Sequence, residues 1–356
     1  HHDDASMISR PPLQYPSKPK RGDRVAIVSP SSGLPGLFPV PYELGLQRLG
    51  EEFGLVPVEY PTTRQMNADP KDRAADLNAA FADPSITAII STIGGEDQIR
   101  VLPYLDRALI AAHPKPFFGY SDNTCLLVFL WNAGVVGYHG SSVMLHLGRP
   151  LALHPATRAS FEAALFGSGE YTLVEPTDSG DVDLLWSDRE TFRRERPSEP
   201  AEPWTWHATD RVVEGIAWGG NLEVLSWLAM ADREIGPPEN YAGCVLLIET
   251  SESMPSDDEV YWILQSFGER GLLRQFVAVL VGRAKAWTRW RPLDHDAKLA
   301  FRRSQRDAIR RAFERYGQDP LIVFDVDFGH TEPQFIIPTG GLVRVDGIAR
   351  AITVTY

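Results

Sequence analysis

Gly119-Tyr120-Ser121-Asp122-Asn123-Thr124 closes one pattern and opens another. The apolar stretch Pro116 to Tyr120 leads into it, and the amphipathic stretch Asn123 to Trp131 follows. Such a change of period marks a strand-to-helix turn. Ser121 sits on that turn, where a hydroxyl is exposed and the next backbone N–H groups face the same space. Ser, Asp and Asn are also favoured helix N-caps, so the segment taken alone has a plainer reading as a good helix start.

The same alternation extends on both sides. Arg24 to Ser29, Val56 to Tyr60, Thr87 to Ile93, Pro116 to Tyr120 and Val135 to His139 read as buried strands. Tyr42 to Phe53 and Asp69 to Ala82 read as helices, the second with Asp69 as N-cap and Pro70 at the first helical position. Alternating strand and helix predict a doubly wound α/β domain over residues 21–166. Gly167 to Asp210 breaks the rhythm: it is polar and rich in Pro, Glu and Arg, and reads as a linker with a long insertion. Patterning resumes at Val212 to Trp218. Helical runs follow at Asn221 to Met230, Asp257 to Leu273 and Asp296 to Tyr316. Strands follow at Cys244 to Glu249, Phe276 to Val281 and Leu321 to Asp327, then short ones from Phe335 to Val354. Residues 211–356 are thus expected to form a second α/β domain, and residues 1–20 an N-terminal arm.

Two further residues stand where Ser121 stands, at the carboxyl end of a predicted strand. Glu249 ends Val245-Leu246-Leu247-Ile248, and His330 follows Asp327-Phe328-Gly329. A hydroxyl, an imidazole and a carboxylate are the parts of a nucleophilic triad, which recurs in any chain order. Each has a bland alternative: Glu249 as a helix cap or Arg partner, and His330 as one histidine among others such as His139 and His146. Gly94-Gly95 closes another strand, and glycines there let a backbone N–H approach a ligand. The N–H groups of Gly95 and Asp122 are candidates for an oxyanion hole, with Gly94 beside them; the plainer reading of the two glycines is a tight turn. Gly219-Gly220-Asn221 lies at another strand-to-helix junction and is expected either to line the same cleft or to be a turn with Asn221 as helix N-cap.

Composition bounds the class. The chain has 356 residues, 43% hydrophobic and 23% charged, with a net charge of −12. That balance argues against a general nucleic-acid or anionic-membrane surface. No run approaches the ~20 apolar residues of a membrane span. His1-His2-Asp3-Asp4-Ala5-Ser6-Met7 reads as a tag remnant before a native start at Met7, and the mature protein is expected to be cytoplasmic. Cys125 and Cys244 share no CxxC spacing and are expected to be inert core thiols. No metal-ligand spacing such as HExxH occurs, so neither a metal nor another cofactor is expected.

Five segments in order carry a specific resemblance: Ser91-Thr92-Ile93-Gly94-Gly95, Gly119 to Thr124, Gly219-Gly220-Asn221-Leu222, Leu247-Ile248-Glu249-Thr250-Ser251-Glu252 and Gly329-His330-Thr331-Glu332-Pro333. Together they resemble the LD-carboxypeptidase family, and within it the microcin C self-immunity branch. The resemblance runs from about Gly22 to the C-terminus. It implies a serine carboxypeptidase with Ser121 in the first domain, Glu249 and His330 in the second, a site in the cleft between them, a homodimer and no metal. It implies as substrate either the L,D-peptide bond of a cell-wall tetrapeptide or the amide joining a peptide to a nucleotide.

The insertion bears on that choice. It holds Trp186, Arg189, Phe192, Arg193, Arg194, Arg196, Trp204 and Trp206. Aromatic faces stack on bases and arginines pair with phosphates, which favours a peptidyl- or aminoacyl-nucleotide, with Trp186 as a candidate stacking residue. The alternative is a loop whose tryptophans pack on protein. Two other classes fit less well. A two-lobed binding protein would need no nucleophile. An amidotransferase-like enzyme using Cys125 would need its thiol at the helix mouth, whereas Cys125 falls inside the helix.

Overall fold

A computed structural model describes residues 10–356; the stretch His1–Met7 lies outside the described residues. Five parallel strands stand in the order Val56–Glu59, Arg24–Val28, Ile86–Ser91, Phe117–Gly119 and Gly137–His139. Ile337–Thr339 then pairs antiparallel with Gly137–His139 and parallel, at Ala217↔Thr339, with Val212–Asn221. From there Val245–Glu249, Ala278–Gly282 and Leu321–Val326 continue in parallel. One sheet therefore passes from the first half of the chain into the second.

The apolar runs explain how that sheet is covered. A parallel sheet is buried on both faces, and alternate residues of each strand point to opposite sides. Ala26, Phe117, Leu246, Val279 and Ile322 pack into one layer; Val25, Phe118, Leu247, Leu280 and Val323 pack into the other. Each layer draws on both halves of the chain.

The helices follow their sequence signals. Pro70–Ala82 starts at Asp69, whose carboxylate accepts from the Lys71 N–H. Asp257–Glu269 is capped by Ser256, and His295–Tyr316 by Asp294. Helices Arg107–Ala112 and Pro155–Phe166 are additional to the sequence reading. Cys125 and Cys244 are buried and free, and burial pushes both thiols up. No helix of the described residues is long and apolar enough to cross a membrane.

The polar segment between the halves is not a loose linker. Thr205–His207 joins the edge of the sheet beside Leu321–Val326. Trp204 is buried and donates its indole N–H to Asp327 at 2.9 Å. Asp181 is buried and accepts from Lys298 at 2.7 Å, Arg302 at 2.8 Å and the Ala286 N–H at 2.8 Å. Desolvation opposes that charge, yet the two cations outweigh it and hold the carboxyl below its ordinary range. Asp181→Ala strands two buried cations and should cost about 3–5 kcal/mol, read as a lower urea midpoint at an unchanged m-value.

Candidate active site

The strand Phe117–Gly119 ends at Tyr120, and the chain turns sharply at Ser121 before the helix Thr124–Asn132. Ser121 has φ of +62°, a left-handed conformation that costs a non-glycine residue about 1–2 kcal/mol. Ser121 caps nothing with its side chain. Its neighbours hold the turn. Asn123 donates to the Tyr120 carbonyl at 2.9 Å and accepts from Gln98 at 2.9 Å. Asp122 accepts from the Gln98 N–H at 2.9 Å, and Gln98 accepts from the Leu126 N–H at 2.9 Å. A side chain at Gly119 would meet the Asn123 Cβ at 2.8 Å, so the strand must end in glycine for the turn to close. The polar residues that sequence alone reads as helix caps are turned inward and lock two loops together.

His330 joins the three candidates. Its Nδ1 lies 2.6 Å from Glu249 Oε2, and its Nε2 lies 3.2 Å from Ser121 Oγ. Tyr120 backs the imidazole, ring centres 5.0 Å apart. Glu249 ends its strand at 1% exposure, and its Oε1 accepts from Asn221 Nδ2 at 3.2 Å. Gly282 and Gly329 make its room: a Cβ at either would meet the Glu249 Cβ, at 2.6 Å and 3.0 Å. Burial alone would lower the imidazole pKa, but the Glu249 charge and hydrogen bond, then Glu252 and Glu223, raise it to about 9. With the Glu249 carboxylate accepting from Nδ1–H, the ring offers its Nε2 lone pair to the Ser121 hydroxyl in its neutral form, which at a pKa of about 9 is the minor form at neutral pH and grows as pH rises.

His139 and His146 lie nearby without touching Ser121. Burial holds both near about 3, so they stay neutral. Gly94 packs directly on Ser121: a Cβ there would stand 3.1 Å from the Ser121 Cβ. The N–H groups of Gly95 and Asp122 make no hydrogen bond among the described residues. Gly94, Gly95, Ser121 and His330 line one cleft of about 1040 Å³.

Gly219, Gly220 and Asn221 sit behind the site rather than in the cleft lining. A Cβ at Gly220 would meet Thr124 Oγ1 at 2.6 Å, and one at Gly219 the Leu247 carbonyl oxygen at 2.1 Å. These glycines bring their strand against the helix Thr124–Asn132 and its neighbour strand, while Asn221 is spent on Glu249 and on capping Leu222–Met230. Of the insertion's aromatics, Trp186 lines the cleft while also packing on the core, tilted against Phe38 at 5.6 Å; Trp204 and Trp206 pack on protein outside the cleft lining. Arg193 pairs with Glu190 and Arg194 with Asp188, so neither stands free for a phosphate. Arg196 lines the cleft and pairs with Glu332. Sequence reading passes over Gly282 and Gln98, which carry no motif and act only through distant contacts.

The geometry has counterparts. Residues 25–140 match the LD-carboxypeptidase N-terminal domain and residues 214–345 the C-terminal domain. The chain is 32% identical over 336 residues to a probable murein peptide carboxypeptidase of Bacillus subtilis, covering 91% of this chain and 89% of that one. It is 26% identical over 289 residues to the microcin C7 self-immunity protein MccF of Escherichia coli, covering 80% and 78%. Its fold is similar to that of MccF in complex with aspartyl sulfamoyl adenosine, with a TM-score of 0.82 at 23% identity, covering 97% and 99%.

In histidine-labelled protein followed by NMR, the His330 ring should titrate at about 9, and His139 and His146 should remain neutral throughout the neutral range. Glu249→Gln should bring His330 down toward or below the ordinary imidazole value, because burial then meets less opposition. An unchanged His330 titration in that variant would contradict the electrostatic account.

Proposed function

Because the chain belongs to the LD-carboxypeptidase family of serine-type hydrolases, we propose that it hydrolyses the amide joining an aminoacyl or peptidyl group to a nucleotide, through Ser121, His330 and Glu249. His330 Nε2 takes the hydroxyl proton as Ser121 Oγ attacks the amide carbonyl carbon. Glu249 orients the ring and stabilises the imidazolium. The N–H groups of Gly95 and Asp122 receive the oxyanion; losing one such donor costs roughly 10²–10³ in rate. The imidazolium then gives its proton to the leaving nitrogen as the C–N bond breaks, leaving an acyl-enzyme on Ser121. Water, deprotonated by His330, attacks that ester and restores the serine. In this proposal the units 21–166 and 211–356 contribute the nucleophile and its two partners respectively, with 167–210 carrying the lid.

The observation that carries the nucleotide reading is Trp186, half-buried at the wall of the cleft that holds Ser121. A flat aromatic there offers a base a stacking surface. The MccF structure with aspartyl sulfamoyl adenosine supports the same substrate class. A second reading is removal of the terminal residue of a cell-wall LD-tetrapeptide, favoured by the Bacillus subtilis relative.

Mass spectrometry of products from an aminoacyl sulfamoyl adenosine and from an LD-tetrapeptide separates the two. Ser121→Ala should abolish turnover of whichever is cleaved, with the fold unchanged by circular dichroism; near wild-type turnover would rule out the nucleophile. Trp186→Ala should weaken the nucleotide substrate selectively, by roughly 1–3 kcal/mol in kcat/KM. Equal loss on both substrates, or no wild-type turnover of the nucleotide, moves the assignment to the tetrapeptide.

A further inference from the structure

Resting on that reading of the site, we infer that Glu252 sets the charge of the acyl residue: the enzyme takes an acyl group with a cationic side chain and disfavours one carrying a carboxylate. Glu252 Oε2 lies 3.5 Å from His330 Nε2, the nitrogen that faces Ser121 Oγ at 3.2 Å. Its carboxylate is thus within one side chain's length of the point of attack, and it lines the same cleft.

The turn that presents Glu252 is fixed. The Glu223 carboxylate, in the first turn of Leu222–Met230, accepts from the Ser251 N–H at 3.2 Å, from the Ser251 hydroxyl, and from the Ser253 hydroxyl at 2.6 Å. The Met254 N–H donates to the Ser251 carbonyl at 3.1 Å, and the Met254 side chain is buried. Between these two anchors Glu252 projects from the wall with its head group 64% exposed.

The charge balance of the cleft then decides the preference. Arg73 and Arg100 pair with Asp97, Lys285 with Asp183, and Arg196 with Glu332. Among the described residues, the ion-pair partner of Glu252 is His330, whose Nδ1 is already held by Glu249. A lysyl-type ammonium entering beside Ser121 completes an ion pair with Glu252. An aspartyl-type carboxylate meets Glu252 instead, with the lining cations already engaged. Attraction for one ligand and repulsion of the other add in the discrimination between them.

The test measures kcat/KM of wild type, Glu252→Gln and Glu252→Lys on lysyl, alanyl and aspartyl sulfamoyl adenosine. The neutral alanyl compound reports what each substitution does to the chemistry itself. The lysyl-to-aspartyl ratio reports charge selection. That ratio should be about tenfold or more in wild type, near one in Glu252→Gln, and inverted in Glu252→Lys. A ratio that stays the same in all three proteins overturns the inference, and so does a wild-type preference for aspartyl. If wild type turns over none of the three compounds, the nucleotide reading fails by itself. The ratio is then read on LD-tetrapeptides with lysine or glutamate as the attacked residue. An unchanged ratio there, or no turnover of either series, overturns the role of Glu252 as well. Labelling of Ser121 by a serine-reactive phosphonate and circular dichroism establish that each variant is folded with its nucleophile accessible.

Discussion

A carboxylate at 1% exposure, at the end of the inner strand Val245–Glu249, has to be compensated where it stands. Glu249 has two partners, the Asn221 amide on one oxygen and the His330 ring on the other. Gly282 and Gly329 bring neighbouring backbone close to the side chain, where a Cβ at either position would meet the Glu249 Cβ. The buried charge therefore fixes the imidazole as much as the imidazole stabilises the charge. Removing one partner of such a pair costs far more than the pair contributes net. The orientation of His330 toward Ser121 is in this sense a consequence of packing around Glu249.

The strain at Ser121 is held by an independent set of contacts. Gln98 reaches from the loop after Ile86–Ser91 to Asp122, Asn123 and Leu126, and so ties the nucleophile turn to the loop that carries Gly94 and Gly95. Backbone held in a sparsely populated region persists only when its surroundings over-determine it. The interlock does this, and it also sets the distance between the hydroxyl and the Gly95 and Asp122 N–H groups. The two sets of contacts meet across Ser121 and His330 at 3.2 Å, where Tyr120 backs the imidazole, and where the Asn221 N–H donates to Thr124 Oγ1 at 3.0 Å.

Most of this was legible because it is written in local patterns. Strand ends at Gly119, Glu249 and the turn before His330 follow from apolar runs broken by glycine or acid, and the Asp69-Pro70 helix start from capping chemistry. What escaped the sequence is what acts at a distance. The strand-to-helix junction at Asn221 reads either as cleft lining or as a helix N-cap; the cap is local and forms on the Val224 N–H, whereas the contact with Glu249, 28 positions away, leaves no local signal. The segment 167–210 looked like a linker because its charges show no periodicity. Those charges are satisfied singly, by Lys298, Arg302 and Glu332, which no period reveals.

The pairings of that segment divide it into a held part and a projecting part. Gly180 exchanges two backbone hydrogen bonds with Glu332, two residues beyond His330, and Arg196 pairs with the same glutamate. Asp181 is tied to the helix His295–Tyr316. Between these anchors, residues 184–194 pair two of their three arginines locally, Asp188 with Arg194 and Glu190 with Arg193, while Arg189 is exposed. The stretch bearing Trp186 can therefore change in sequence without disturbing either the Glu249 packing or the Ser121 interlock. Both core layers span the two halves of the chain, so the elements that carry Ser121, His330 and Glu249 stand on a shared core. The contacts among Ser121, His330 and Glu249 are built at strand ends of the shared sheet, and Trp186 is carried by a segment laid over it.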